Sequence, residues 1–249
     1  ADGDGFSNRE EYFAFGSVNT QTFVNAALDP QVTPMPDQIA DLPDFKSTKK
    51  TLGIILYPGF EVLDVYGPVE MWGYIPDFNI VMIAEEAGPV MSTQGVATVA
   101  EYSFADAPEL DIVMVPGGVG TLVQLENKRF IDYLVKVNEN TEFTISVCTG
   151  SALLEKAGLL RGHRDTANKR AFSLSSDQDK EVDWVVEARW VESGKFFTSS
   201  GVSAGTDMAL GLISSIYGKH AADSLASSVE YEWHDDPTVD PFAQFVPQS

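Results

Sequence analysis

The stretch Phe143-Thr-Ile-Ser-Val-Cys148-Thr-Gly150-Ser-Ala-Leu-Leu154 decides the fold. Five residues rich in β-branched and apolar side chains read as a buried strand. The chain then turns at once into small residues and good helix formers, which predicts a helix over 150–160. One nucleophile-capable side chain, Cys148, stands in the turn. This is the logic of a nucleophile elbow, with Ser146 where G-x-S-x-G has its first glycine. A tight turn pushes the cysteine toward a crevice. A helix N-terminus beside it favours the anionic sulfur, so a lowered thiol pKa and a reactive thiolate are expected. A lone cysteine is also commonly a small buried apolar side chain, and the residues alone leave both readings open.

Outward from the elbow, strands and helices alternate. Leu52–Tyr57 ends at Pro58-Gly59, Phe78–Ala84 is a second strand, and Asp111–Val115 runs into Pro116-Gly117-Gly118. Val62–Tyr74 reads as a helix interrupted at Gly67-Pro68, and Lys128–Val137 as a further helix. Val96–Glu101 alternates like an edge or hairpin strand. Val182–Val191 and Lys195–Thr198 flank Glu192-Ser193-Gly194, a hairpin signal. Helices are expected from Ser203 to about Tyr217 and over about 221–231. The pattern predicts an α/β fold, a flavodoxin-like, mostly parallel sheet with helices on both faces. Three regions are expected: an irregular N-terminal arm over 1–50, the α/β domain over 51–236, and an irregular tail over 237–249. The arm is Pro-rich, with Pro30, Pro34, Pro36 and Pro43, and carries Tyr12, Phe13, Phe15 and Phe23 as anchors.

The chain has 249 residues, with 16 Lys plus Arg against 37 Asp plus Glu, a net charge of −21. Such a chain repels phosphate backbones and anionic lipid, so neither nucleic acid nor a membrane surface is expected as a partner. The acidity reads as a solubility feature. No apolar run approaches the roughly 20 residues that a membrane-spanning helix needs. One cysteine excludes an internal disulfide, a cysteine zinc cluster and a CxxC pair, and no metal or organic cofactor is expected. No basic stretch followed by an apolar one marks a signal peptide; Ala1-Asp2 suits a mature start or a cloning boundary equally, which leaves the compartment open.

In open α/β sheets ligands sit beyond the carboxyl ends of the strands. Besides the elbow, two such ends carry chemistry. Glu61 and Asp64 lie three apart at a strand-to-helix junction. Carboxylates there commonly serve as caps or first-turn charges. Beside a thiolate, a carboxyl is raised by like charge, stays protonated and donates to sulfur, so it can pass protons to substrate or water. Gly117 and Gly118 let backbone N–H groups approach a ligand, as an oxyanion hole requires, though Pro-Gly-Gly is also an ordinary turn.

Together these segments resemble the ThiJ/PfpI superfamily, the group with the class I glutamine-amidotransferase-like, flavodoxin-type fold. The resemblance spans about 51–236 and rests on YPGFEVLDVYGPVE (57–70), DIVMVPGG (111–118), SVCTGSALLEKAGLLRG (146–162) and SSGVSAGTDMAL (199–210). The pairing of "LDxxGP" with "CTGS" is similar to the isonitrile (isocyanide) hydratase branch. The resemblance implies Cys148 as nucleophile, Asp64 as its acidic partner, Thr149 beside the site, and the backbones of Gly117 and Gly118 flanking the pocket. Glu61 has no firm counterpart and ranks below Asp64.

Departures weigh against neighbouring activities. Thr149 stands where the superfamily's intracellular proteases carry His, and Gly201-Val-Ser-Ala-Gly205 where the amidotransferases bring a catalytic His. With His163, His220 and His234 placed as they are, no Cys-His-acid triad is visible. Thr166-Ala-Asn168-Lys169 replaces the "TTHW" common in hydratases, which leaves open the substrate accepted. The related transcription regulators add a helix-turn-helix domain; the short stretch after Trp233 and the acidic charge oppose that reading.

The function expected is therefore a cysteine-dependent hydro-lyase acting on a small molecule, R–N≡C, through a covalent Cys148 thioimidate. The alternatives are a glyoxalase-type enzyme on reactive aldehydes, and a non-enzymatic Cys-based redox sensor or chaperone-like protein in which Cys148 oxidises. The resemblance also implies a homodimer, and the aromatic arm would need a surface to cover.

Overall fold

The computed structural model describes residues 49–178 and 181–246. Residues 1–48 of the expected arm, with its aromatic anchors, lie outside the described residues. β1 (Lys50–Ile55) is buried from Leu52 onward and pairs in parallel with β2 (Phe78–Ala84) on one side and β6 (Ile112–Val115) on the other. β6 pairs in parallel with β7 (Phe143–Val147), and β7 with β11 (Phe196–Ser199). β5 (Tyr102–Ser103) adds to β2, and β10 (Trp190–Ser193) closes the other edge as the antiparallel arm of the expected hairpin. The sheet order is β10-β11-β7-β6-β1-β2-β5. The central strands read as unbroken apolar runs because they are covered on both faces; Ile54, Ile112, Met114, Ile145 and Val147 are fully buried.

The helices pack in two groups. α1 (Val62–Gly73) lies on α6 (Ala204–Tyr217), which also packs on α7 (Lys219–Ser228). The short α2 (Thr121–Gln124), α3 (Lys128–Asn138) and α5 (Phe172–Ser176) gather around α4 (Gly150–Lys156). Asn127 caps α3 by accepting the Phe130 N–H at 3.3 Å. Two small sheets stand apart from the main one: the hairpin of β3 (Gly88–Met91) with β4 (Ala97–Ala100), and β8 (Arg164–Asp165) with β9 (Asp183–Trp184).

α1 is not interrupted at Gly67-Pro68, as its sequence predicts; it is helical through Pro68. An interior proline forfeits a helix hydrogen bond. The compensation is tertiary: this face of α1 lies against Gly205 and Thr206 of α6, and Trp72 one turn on donates Nε1–H to Ala209 O at 3.2 Å. The described part of the tail, to Val246, holds only a 3₁₀ turn over Ala243–Phe245, yet it is anchored. Asp240 is buried and its N–H donates to Glu187 O at 2.8 Å, while Pro237 O accepts from Arg189 N at 2.8 Å.

The chain runs outward from β1 to β2 and β5, then crosses back to lay β6 on the far side of β1. The order reverses between β1 and β6. Ligands of such sheets sit beyond the strand ends at this point. The loops after β1, β6, β7 and β11 meet there.

Candidate active site

Cys148 follows the last residue of β7 and has φ 61°, the left-handed backbone that throws an elbow side chain clear of strand and helix. The strain is held by the surroundings. The Cys148 N–H is shared between Ser199 O and Ser200 O, both at 3.2 Å, while its carbonyl accepts from Ser151 Oγ at 3.1 Å and from Asn168 N at 3.3 Å.

Asp64, in the first turn of α1, is fully buried. Its Oδ2 accepts the Gly117 N–H at 2.8 Å, and Oδ1 has no nitrogen or oxygen partner. The carboxyl lies close enough to the Cys148 thiol for each group to act on the proton affinity of the other. The approach demands glycine at 117: a Cβ there would stand 2.5 Å from Thr149 N and 2.9 Å from Asp64 Oδ2. Gly118 N donates to Thr149 Oγ1 at 3.1 Å, so the Pro-Gly-Gly turn is tied to both Asp64 and the elbow. One of its N–H groups is already taken by the carboxylate, and the other by the threonine. The turn thus orders side chains rather than offering two open N–H groups to an oxyanion.

Glu61 stands just ahead of α1, its side chain hydrogen-bonded by Gln94 Nε2. It is half-buried and acts on Asp64 through charge. Of the six residues predicted for the site, Cys148, Asp64, Thr149, Gly117 and Gly118 are brought into one cluster, and Glu61 lies at its rim.

The electrostatics depart from expectation at the sulfur. Burial, reinforced by the Asp64 charge, pushes the Cys148 thiol pKa up rather than down. Hydrogen bonds from Asn168 and from the Val202 and Thr149 N–H groups oppose this without overcoming it. The helix terminus is where the sequence put it, but Cys148 is only 5% exposed, and desolvation of the anion outweighs the dipole. Asp64 is raised as anticipated, by burial first and by the Glu61 charge, against the Gly117 hydrogen bond. Burial thus shifts both groups toward their protonated forms, the opposite of the lowered thiol expected from the helix terminus.

Several neighbours were not anticipated. Tyr57, two residues beyond β1, donates its hydroxyl to Pro116 O at 2.7 Å and meets Thr121 Oγ1 at 3.0 Å. Thr121 in turn lies 2.8 Å from Thr149 Oγ1, a buried hydroxyl chain behind the elbow. Tyr57 falls in one of the quoted motifs, so its position was readable although its contact was not. Asn168 Nδ2 donates to Cys148 Sγ at 3.1 Å. Val202, φ 47°, is a β-branched residue in left-handed backbone, and its N–H reaches the sulfur. His234 stands away from the sulfur: its N–H donates to Asp207 Oδ1 at 3.0 Å, and Asp207 is also paired with the buried Arg189. His163 packs edge-on against Phe196. Among the described residues no group of His, Cys, Asp and Glu is placed to hold a metal ion, and no helix is long and apolar enough to cross a membrane.

Comparison with known proteins fits this geometry. An isonitrile hydratase from Pseudomonas putida is 32% identical over 180 residues, covering 72% of this chain and 78% of that one. A helix-turn-helix-type transcriptional regulator from Pseudomonas aeruginosa is 25% identical over 173 residues, covering 68% of this chain but only 51% of the regulator. The crystal structure of a ThiJ/PfpI family protein from Pseudomonas syringae superposes with a TM-score of 0.71 at 28% identity, covering 82% of this chain and 84% of that one. The DJ-1/PfpI family model matches residues 50–215, which hold the central strands, the elbow and Asp64, and the chain belongs to that family.

Proposed function

We propose that the protein is a cysteine-dependent hydro-lyase of the isonitrile hydratase type, converting R–N≡C and water to the N-substituted formamide. The observation that carries this reading is the buried pair of Asp64 and Cys148 at the switch point of the sheet, each shifted by burial toward its protonated form. Likeness to the P. putida enzyme supports the choice of substrate class.

A thiol that keeps its proton suits this reaction, because the terminal carbon of an isonitrile needs a proton as well as a nucleophile. Cys148 Sγ bonds to that carbon as Asp64 gives it a proton and takes the thiol proton in exchange. The product is the thioimidate Cys148–S–CH=N–R, with Asp64 still protonated. Water then adds to the imidate carbon. Asp64 passes its proton to the imidate nitrogen and takes one from the water. The C–S bond breaks as Asp64 protonates Sγ and takes the remaining hydroxyl proton, and R–NH–CHO leaves. Water is consumed and the acid–thiol pair returns to its starting state. Thr149 and the Gly117–Gly118 turn hold the carboxyl and elbow in register rather than reacting. Glu61 tunes Asp64 from the rim.

The partner in solution is proposed to be a second copy of the chain. Val119, Leu122 and Val123 stand at least 61% exposed beside the site, an apolar patch that a homodimer would cover. Mass measurement in solution tests this; a monomer at micromolar concentration refutes it.

The decisive assay mixes purified protein with an aryl isocyanide and follows formamide by chromatography. Turnover that disappears in Cys148→Ala is expected. No turnover in the wild type, or turnover unchanged by the substitution, overturns the hydratase reading.

A further inference from the structure

Asn168 approaches the sulfur from the loop that follows β8. Its Nδ2 lies 3.1 Å from Cys148 Sγ. The other end of the amide is occupied: Oδ1 accepts the N–H groups of Arg170 at 2.9 Å and Ala171 at 3.0 Å. An amide has distinct donor and acceptor ends, and two N–H groups fix the oxygen away from the thiol. The NH₂ therefore faces the sulfur and cannot exchange places with the carbonyl without losing both bonds.

The loop is held on two further sides. Asn168 N donates to Cys148 O at 3.3 Å. Lys169 Nζ donates to Ala188 O at 2.8 Å and pairs with Asp240 of the tail at 3.7 Å, both side chains being buried. On the loop after β11, Gly201 makes the approach possible, since a Cβ there would stand 2.4 Å from Asn168 Nδ2. Two loops distant in sequence are thus shaped to let one neutral donor touch the reacting atom.

We propose that Asn168 is a catalytic residue of this chain, its locked amide holding the Cys148 sulfur in the attacking position and stabilising the negative charge that develops there. The inference rests on Cys148 being the nucleophile of the proposed hydratase. An amide does not titrate, so it cannot carry a proton through the cycle; it assists the sulfur while Asp64 moves the proton. That division explains how a sulfur disfavoured as an anion by burial becomes reactive during attack. A fixed donor strengthens as charge builds on its acceptor and needs no reorganisation.

The single cysteine gives a single S–H stretching band, so infrared spectroscopy reports on Cys148 alone. The test variant is Asn168→Asp, which keeps shape and the Oδ1 acceptor while replacing the donor on sulfur; Asn168→Ala serves if that variant does not fold. The expected result is a displaced S–H band, with kcat on an aryl isocyanide lowered about tenfold or more and KM little changed. An unmoved band, or an unchanged kcat, overturns the proposal. If the wild type has no isonitrile turnover, the hydratase reading fails by itself. The alkylation rate of Cys148 with iodoacetamide at pH 8 then takes the place of kcat: about a tenfold loss in the variant keeps Asn168 as the sulfur's functional donor, and an equal rate removes it.

Discussion

Asp64 Oδ2 accepts the Gly117 N–H at 2.8 Å, which fixes the carboxyl beneath the Pro-Gly-Gly turn and leaves Oδ1 without a nitrogen or oxygen partner. A buried oxygen left unsatisfied is costly in a purely structural carboxylate. In the proposed mechanism it is the atom that exchanges a proton with the sulfur or a bound substrate.

Asp64→Asn keeps the acceptor for Gly117 but cannot carry a proton. Formamide production should fall about 100-fold or more, the scale of general acid–base catalysis. Alkylation of Cys148 by iodoacetamide at a fixed pH should survive in the same variant, because the sulfur and its Asn168 neighbour are untouched. Lost turnover with alkylation retained is the signature; parallel losses would point to collapse of the site.

Gly117→Ala forces a methyl group against the Thr149 backbone nitrogen and Asp64 Oδ2. Neither can yield easily, one being main chain and the other buried. The variant should be destabilised by about 1–3 kcal/mol in urea unfolding and lose most of its activity. Wild-type stability and turnover would show that the turn has slack.

Arg189 Nε and Nη2 both meet Asp207 Oδ2, at 2.6 and 2.5 Å, with both side chains buried. The Asp207 side chain also accepts from Tyr231 Oη and His234 N, so it joins the start of α6 to the segment after α7. Asp207→Ala leaves a buried guanidinium unpaired, and chemical denaturation should register a loss of about 3–5 kcal/mol. A loss below about 1 kcal/mol, the scale of a surface pair, would show that water reaches the arginine.

Stability should vary with pH through the buried charges next to Asn168. Burial pushes Asp165 up to about 7 and Lys169 down to about 8. For Asp165 the folded value exceeds the unfolded one of about 3.9, so its contribution is complete below that pH and is lost as pH rises through 7. For Lys169 the folded value lies below the unfolded one of about 10.4, so its contribution is present above that pH and is lost as pH falls through 8. Asp165→Asn removes the first effect. The melting temperature of the variant minus that of the wild type should be more positive at pH 8 than at pH 5. A difference that does not change with pH would mean Asp165 is ionised across the whole range.

The strands and the elbow were legible in the chain because each depends on short-range pattern. Phe143–Val147 has the buried, largely apolar run of a doubly covered strand, and the turn after it leads at once into helix formers. Asp64 was found through its place in a motif. What the sequence could not show was the balance of forces on the sulfur. Helix N-terminus and burial act in opposite directions, and only the packed structure, with Cys148 enclosed and Asp64 against it, decides that desolvation prevails. The continuity of α1 through Pro68 and the reach of Asn168 across to Gly201 are likewise tertiary. They depend on which backbones meet across the fold, and a local pattern carries no record of that distance.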